Sequence, residues 1–452
     1  MAQRKSRTIS SLLFILGTAV VLFISISADS KQRDDFDYRV TRGRAALLWS
    51  IQGEGRYLGM QDAVALDDYD GDGAPEILTR SFDGTSQRTF FHIVSGKSGR
   101  VIRSYSLRFN RTFAGGADFD GNGKKDIALS TYISDGSGNP PSSSGGTYLI
   151  SILNPDFGRI IWKRSSNVAE PGFGANVFVT SDANDDGISD LLVSSHFNDD
   201  RLPRIHYISG RDGKTFRTVD APAGSSSFFG TAISNSMVNN DSKADLITTD
   251  ILFAKNPTTV EARVWALNGT NNKRIWSQGR LPDSLFGDKV RIISDLNSDG
   301  ISDLIVTAPN QGRAVRGAVH AISGANGKTL WIRPGTVDSG QFGRAITILN
   351  DITGDGISEI VVGSPASLPP MLAAGVPGSF TILNGRDGSN LIIVEEILPN
   401  RRAFSTHFAI HVRSAGDLNG DGREDLLVAA PDFGRSDQGR APAGLVAAFT
   451  LN

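Results

Sequence analysis

The chain contains no cysteine at all. Disulfides, thiolate zinc sites and a lipid-modified cysteine anchor are therefore excluded. Charge of one sign is also lacking: 46 basic residues face 48 acidic ones, a formal net charge of −2. No global electrostatic case exists for binding nucleic acid or an anionic membrane. Only six histidines occur, and no HExxH motif, P-loop or nucleophile elbow is present. His407 and His411 lie four apart, a spacing read as a packed or channel-lining pair on one strand face rather than a zinc site. Past the N-terminus no stretch sustains a helical period. What is abundant is glycine, 50 of 452 residues, which implies many turns and favours strands over helices.

The N-terminus reads as a targeting segment. Arg4, Lys5 and Arg7 precede an apolar run from Ile9 to Ile26, and small residues at Ser25, Ser27 and Ala28 offer a cleavage site. The run fits a cleaved signal (1–28) or a retained membrane tether (9–26). Both readings export everything from Asp29 onward, to a secreted, periplasmic or cell-surface location. The charged stretch 29–44 reads as a linker, and 45–452 as the folded body.

Within that body one pattern recurs seven times: Asp-x-Asp/Asn-x-Asp-Gly-x-x-Asp/Glu, followed by an apolar run. Successive copies start 50, 64, 55, 58, 56 and 66 residues apart. That interval suits one four-stranded propeller blade. Phe-Gly pairs precede many copies (Phe173-Gly174, Phe229-Gly230, Phe286-Gly287, Phe342-Gly343), with Phe109-Asn110, Phe408-Ala409 and nearly Leu58-Gly59 in the same place. Downstream come a variable loop, an alternating strand, a Gly or Asn turn such as SGANGK, and a last strand often carrying Trp (Trp162, Trp276, Trp331). The expectation is an all-β, seven-bladed propeller with four strands per blade. The seventh unit ends after its third strand, while Ala45–Ser50 has the text of a fourth. The N-terminal strand is therefore expected to complete the last blade, with Trp49 beside Leu445–Phe449, removing a sheet edge.

The chemistry lies in the Asp loops. Calcium takes six to eight oxygens. Side chains at positions 1, 3, 5 and 9, with a backbone carbonyl at 7, converge when Gly at position 6 allows a sharp turn. The expected ligands are Asp68, Asp70, Asp72 and Glu76; Asp118, Asp120, Asn122 and Asp126; Asp182, Asn184, Asp186 and Asp190; Asp295, Asn297, Asp299 and Asp303; Asp351, Thr353, Asp355 and Glu359; and Asp417, Asn419, Asp421 and Asp425. An EF-hand would place its last acid at position 12, where Thr79, Val193 and Val306 stand, so that reading is rejected. Plain Asp/Gly turns without metal are the competing reading, opposed by six copies in register. The fourth loop, Met237–Asp245, has Met237 at position 1 and Ser242 in place of Gly, and is expected to bind calcium weakly or not at all.

The unit Phe-Gly … Asp-x-Asn-x-Asp-Gly-x-x-Asp-Leu-x-Val … Ala-Pro resembles the FG-GAP repeat of integrin α-chains. Its clearest copies start at Leu285 and His407, and the likeness runs through nearly all of 45–452. The resemblance implies a seven-bladed propeller with calcium in hairpin loops on one face, acting in adhesion or ligand binding without catalysis. A calcium-containing propeller enzyme such as a polysaccharide lyase is the alternative; a basic cluster in a central pocket would mark it. The variable loops between second and third strands (134–146, 196–204, 309–317, 365–378, 431–444) lie on the face opposite the metal loops. Such loops carry recognition. They hold Arg201, Arg204, Arg313, Arg316, Arg435 and Arg440, which suit an anionic protein or glycan partner or are simply solvated.

Overall fold

The computed structural model describes residues 36–53, 57–83, 86, 88–108, 110–133, 147–154, 159–165, 173–195, 203–223, 225, 229–230, 233–239, 241, 243–253, 260–279, 283–367, 375–398, 405–434 and 443–451, with two backbone strands near the N-terminus. Those two, Ser11–Leu16 and Ala19–Ile24, pair as a separate antiparallel hairpin. Among the described residues no helix is long and apolar enough to cross a membrane.

The rest forms seven antiparallel sheets. Blades 1 to 6 each take four consecutive strands in simple up-and-down order. Blade 5 is typical, with strands Val290–Ile293, Asp303–Ala308, Ala318–Ile322 and Thr329–Pro334. The first strands neighbour one another in chain order around the ring, and that of blade 7 (His411–Gly416) meets that of blade 1 (Tyr57–Ala65). The structure is a closed seven-bladed β-propeller.

Closure uses the N-terminal strand, as the matching texts suggested. Ala45–Gln52 pairs antiparallel with Leu445–Leu451 as the fourth strand of blade 7, setting Trp49 opposite Ala448. One addition was not foreseen. Within the stretch read as a linker, Tyr38–Arg42 forms a fifth strand on the outer edge of blade 6, paired with Asn390–Glu396. The physical reason is alternation. Phe36, Tyr38 and Val40 pack into the core between blades 6 and 7, while Arg39 faces out and pairs with Glu395 at 2.7 Å. The linker reading is thus corrected for 38–42.

The core is divided among the seams. Seven buried clusters occur, one at each blade-to-blade contact. This explains why the second strands read as unbroken apolar runs. In Asp303–Ala308 every residue is buried: Leu304, Val306 and Ala308 face blade 4, while Ile305 faces blade 6. A strand with two apolar faces shows no alternation.

The Phe-Gly pairs sit at these seams. Phe173, Phe229, Phe286 and Phe408 are fully buried or nearly so. The following glycine turns to positive φ and donates its N–H to the second strand, as from Gly287 to Thr307 O at 2.8 Å. Ala409 fills that place in blade 7 with φ 65°, its N–H reaching Ala429 O at 3.0 Å. This displaces one expectation about the histidines. The turn puts His407 outside the strand, at φ 57°, with Nδ1 3.1 Å from Asp432; His411 opens the strand itself, so the two do not share a strand face.

Candidate metal centres

Each Asp loop connects the first and second strands of its blade. The loop folds locally because its own side chains take up its backbone N–H groups. In blade 1 the Asp68 carboxylate accepts from Gly71 N at 2.6 Å and Gly73 N at 3.0 Å. The position 1 aspartates of four other blades repeat this with the position 6 glycine: Asp118 to Gly123 (2.7 Å), Asp182 to Gly187 (2.6 Å), Asp351 to Gly356 (2.6 Å) and Asp417 to Gly422 (2.8 Å). Asp295 does the same with Gly300 at 2.7 Å. Both oxygens of Asp68, and likewise of Asp118 and Asp417, take part in these bonds.

At position 9 the acid is rooted at the start of the second strand and fully buried: Glu76, Asp126, Asp190, Asp303, Glu359 and Asp425. One oxygen accepts the N–H of position 2, as Asp126 does from Phe119 at 2.8 Å and Asp425 from Leu418 at 2.8 Å. In blades 3 and 5 the second oxygen accepts from the turn between strands three and four, Gly210 N reaching Asp190 at 3.1 Å and Gly324 N reaching Asp303 at 3.0 Å. In Glu76 (Oε1), Asp126 (Oδ1) and Asp425 (Oδ1) that oxygen is buried with no hydrogen-bond partner. A buried acceptor without a donor is costly, and a cation relieves it.

The acidic groups converge. Asp68, Asp70, Asp72 and Glu76 have carboxylate oxygens all within 4.8 Å of one another, as do Asp118, Asp120 and Asp126, and Asp351, Asp355 and Glu359. Burial, reinforced by Asp70, Asp68 and Asp72, pushes the Glu76 carboxyl up to about 7 against the Tyr69 N–H. Burial likewise raises Asp126 to about 7 and Asp190 to about 6. It raises Asp303, Glu359 and Asp425 as well. Position 1 behaves oppositely in blade 6, where the Gly356 N–H leads in holding Asp351 low. Such a set of hard oxygens, part ionised and part strained upward, suits a hard divalent cation.

In blades 3 and 5 the position 3 amide turns to the position 9 acid, Asn184 Nδ2 lying 3.3 Å from Asp190 and Asn297 Nδ2 3.5 Å from Asp303. Asn419 reaches Asp421 at 3.0 Å, and Thr353 Oγ1 donates to Glu359 at 3.0 Å. Asn122 Oδ1 accepts from Lys124 N at 2.8 Å. Acids of the loops of blades 1, 2 and 6 thus converge, while in blades 3, 5 and 7 the position 3 amide donates its N–H to a loop acid.

Two features escaped the sequence reading. Position 5 is gripped by the turn between strands three and four: Ser95 donates to Asp72 at 3.1 Å, Ser209 to Asp186 at 3.2 Å and Asn384 to Asp355 at 3.2 Å. The metal loops and these turns thus share one face. The signal was the Ser-Gly or Asn-Gly opening most such turns, blade 2 having Asn154-Pro155 instead. The second feature is a clasp across seams. Trp49, Trp162, Trp276 and Trp331 donate Nε1–H to the carbonyls of Gly96, Gly210, Gly324 and Gly385 in the next blade's turn, at 2.5, 2.5, 2.7 and 3.2 Å. A second turn glycine at positive φ lies flat on each indole; a Cβ on Gly99 would sit 2.9 Å from Trp49.

Comparison with known proteins agrees with this architecture. The FG-GAP repeat family model matches residues 414–449, the loop-bearing part of blade 7. The chain is 35% identical to Bos taurus integrin alpha-2 over 159 residues, 32% of this chain and 13% of that protein. It is 30% identical to Xenopus laevis integrin alpha-5 over 181 residues, 37% of this chain and 17% of that protein. Mus musculus phosphatidylinositol-glycan-specific phospholipase D is 28% identical over 168 residues, 34% and 19% respectively. The matched stretches thus span less than a fifth of these relatives. One segment of the chain thus matches the FG-GAP repeat, and its seven-bladed propeller resembles the N-terminal propeller of integrin α-chains.

Proposed function

We infer that this chain is an exported calcium-binding propeller that acts as a non-enzymatic adhesion or ligand-binding module. Residues 1–28 direct or tether it, and the ring presents a protein or glycan ligand site on the face opposite the metal loops. The observation that carries the calcium reading is the set of buried, unpartnered carboxylate oxygens on Glu76, Asp126 and Asp425. Glu76 closes a cluster of four carboxylates. The side chains at positions 1, 3, 5 and 9 of six loops would hold one ion each. The ion neutralises the converging carboxylates and fixes the loop to its own blade's outer turn. Loop 4 is excluded because Met237 points to solvent, 55% exposed, where the other loops place an aspartate.

The module reading is supported by the similarity to integrins alpha-2 and alpha-5. One relative is named as a phospholipase, which keeps an enzyme in view. Among the described residues His92 lies 2.8 Å from both Ser81 and Ser104, and His206 lies 2.8 Å from Ser195. All five residues are buried inside their blades, closed to any substrate. Calorimetric titration of chelated protein with calcium tests the reading, with about six sites expected on the loop count. Absence of binding heat and of any change in melting temperature would sink it. Release of product from an acidic polysaccharide or a phospholipid would overturn the non-enzymatic part.

A further inference from the structure

One cleft on the opposite face has the chemistry of a ligand site. It lies in blade 5, between the 309–317 loop and the end of the fourth strand at Pro334–Thr336, and has a volume of about 380 Å³. That is at the small end of the roughly 300–1,000 Å³ of small-molecule sites. Its wall carries two arginines, Arg313 and Arg316. Arg316 is held by Asp338 at 2.5 Å. Arg313 is exposed and has no ion pair among the described residues.

The backbone presenting Arg313 is unusual. Ala314 (φ 55°) and Val315 (φ 54°) are consecutive left-handed residues, and a β-branched side chain seldom adopts that conformation. Tertiary bonds enforce it: Ser339 N donates to Ala314 O at 2.7 Å, and Gln341 N to Val315 O at 3.2 Å. Gln311, at the loop's other end, is fixed by His320 at 2.6 Å. The arginine pair is thus carried on a rigid, strained turn, the kind of segment found at ligand clamps. Ala318, Pro334 and Gly335 also line the cleft and bring no long side chain to it. A flat ring fits against such a lining, and a guanidinium fork matches a carboxylate.

We propose that this cleft binds a hexuronate unit of an acidic glycan, with Arg313 taking the carboxylate and the Pro334–Gly335 wall receiving the sugar ring. The space exceeds what a lone aspartate or glutamate side chain would fill, which favours the sugar over an acidic peptide. The proposal rests on the reading that the face opposite the metal loops binds ligand, and it names the chemistry of one place on it.

The test is calorimetric titration of the full chain, kept in calcium, with a glucuronate-containing tetrasaccharide (a hyaluronan fragment). Chitotetraose and a tetra-aspartate peptide are run beside it. Arg313→Gln should weaken fragment binding about tenfold or more, the loss expected of one charge-assisted pair. Arg39→Gln, on the outer edge of blade 6 and paired with Glu395, should leave it unchanged. Neither control ligand should bind. Circular dichroism confirms that each variant is folded. No fragment binding by the parent chain, equal affinity in Arg313→Gln, or stronger binding of the peptide would each overturn the cleft. Should cell or protein binding through the same face persist without fragment binding, the cleft fails and the ligand-binding reading stands.

Discussion

The loops of blades 1 and 4 have the same length and place in the fold, and they are held together by different forces. In blade 1 four carboxylates converge and one buried oxygen of Glu76 has no donor. In blade 4 the position 9 acid, Asp245, is satisfied on both oxygens, by Val238 N at 3.0 Å and by Gly269 N at 2.7 Å and Asn239 Nδ2 at 3.2 Å. Asn268 donates to Asp241 at 2.6 Å, and Lys243 crosses to Asp185 of blade 3 at 3.0 Å. The same kind of donors meets the position 9 acids of blades 3 and 5, where Gly210 N and Gly324 N reach Asp190 and Asp303 at 3.1 and 3.0 Å, so blade 1 stands apart by its four convergent carboxylates. The seams differ in parallel. The turn of blade 1 is clasped by Trp49, whereas the turn of blade 4 is met by Arg217, whose Nη2 lies 3.4 Å from Asn268 O. A loop can thus hold its shape through protein donors where its acids do not converge.

The comparison can be broken most simply by removing metal. Chelation should lower the melting temperature by on the order of 10 °C or more, because ions that bind only the folded state stabilise it by mass action at every occupied loop. An unchanged thermal melt in chelator would mean that blade 1 is no more metal-dependent than blade 4. Next in size is the seam. Trp49→Ala should cost about 3–5 kcal/mol, since it empties a buried site and orphans Gly96 O at the ring closure. Arg217→Ala, at a half-exposed position, should cost about 1 kcal/mol. Denaturant unfolding of both variants would compare them, and equal losses would contradict the clasp.

Ion counting sharpens the contrast further. Asp72→Ala should remove one calcium per chain by equilibrium dialysis, whereas Asp241→Ala should remove none. The reverse change, Met237→Asp with Ser242→Gly, should add one.

The smallest expected effect is in pH. Glu76 and Asp126 are raised to about 7 by burial, so their contribution to the calcium-free fold is present below the unfolded value near 4 and is lost as pH rises through 7. In chelator the chain should therefore melt a few degrees higher at pH 5.5 than at pH 8. With calcium the order should reverse, because the ion needs the ionised carboxylates. Glu76→Gln should flatten the chelator profile, and melts of the two proteins across that range would check it.

Much of this molecule was legible in the residues because a propeller repeats itself. Seven copies of one loop set the blade count. The texts around Trp49 and Leu445 carried the closure, since each half of blade 7 has the pattern of strands whose partners are local in the other blades. Other parts were not legible. The role of Trp162, Trp276 and Trp331 depends on a glycine about 50 residues away in another blade, and an indole N–H says nothing about its acceptor. Tyr38–Arg42 reads as charged linker because Arg39 and Arg42 mask the alternation of Phe36, Tyr38 and Val40. The histidine pair misled, because the positive-φ turn at His407 and Ala409 falls where the spacing alone implies a continuous strand. Of the loop arginines, Arg201, Arg435 and Arg440 lie outside the described residues.

The sequence by itself determined the blade number, the position of the acidic loops, and the strand that closes the ring. Those are local or repeated properties: a turn bends where Asp and Gly stand, and a copied unit folds as its neighbours do. The tertiary structure alone decided how blades grip one another, that loop 4 is held by Asp245's donors, and that Arg313 faces a cleft on a strained turn. Each of these depends on which atoms from distant parts of the chain meet at a seam, and packing around the ring settles that.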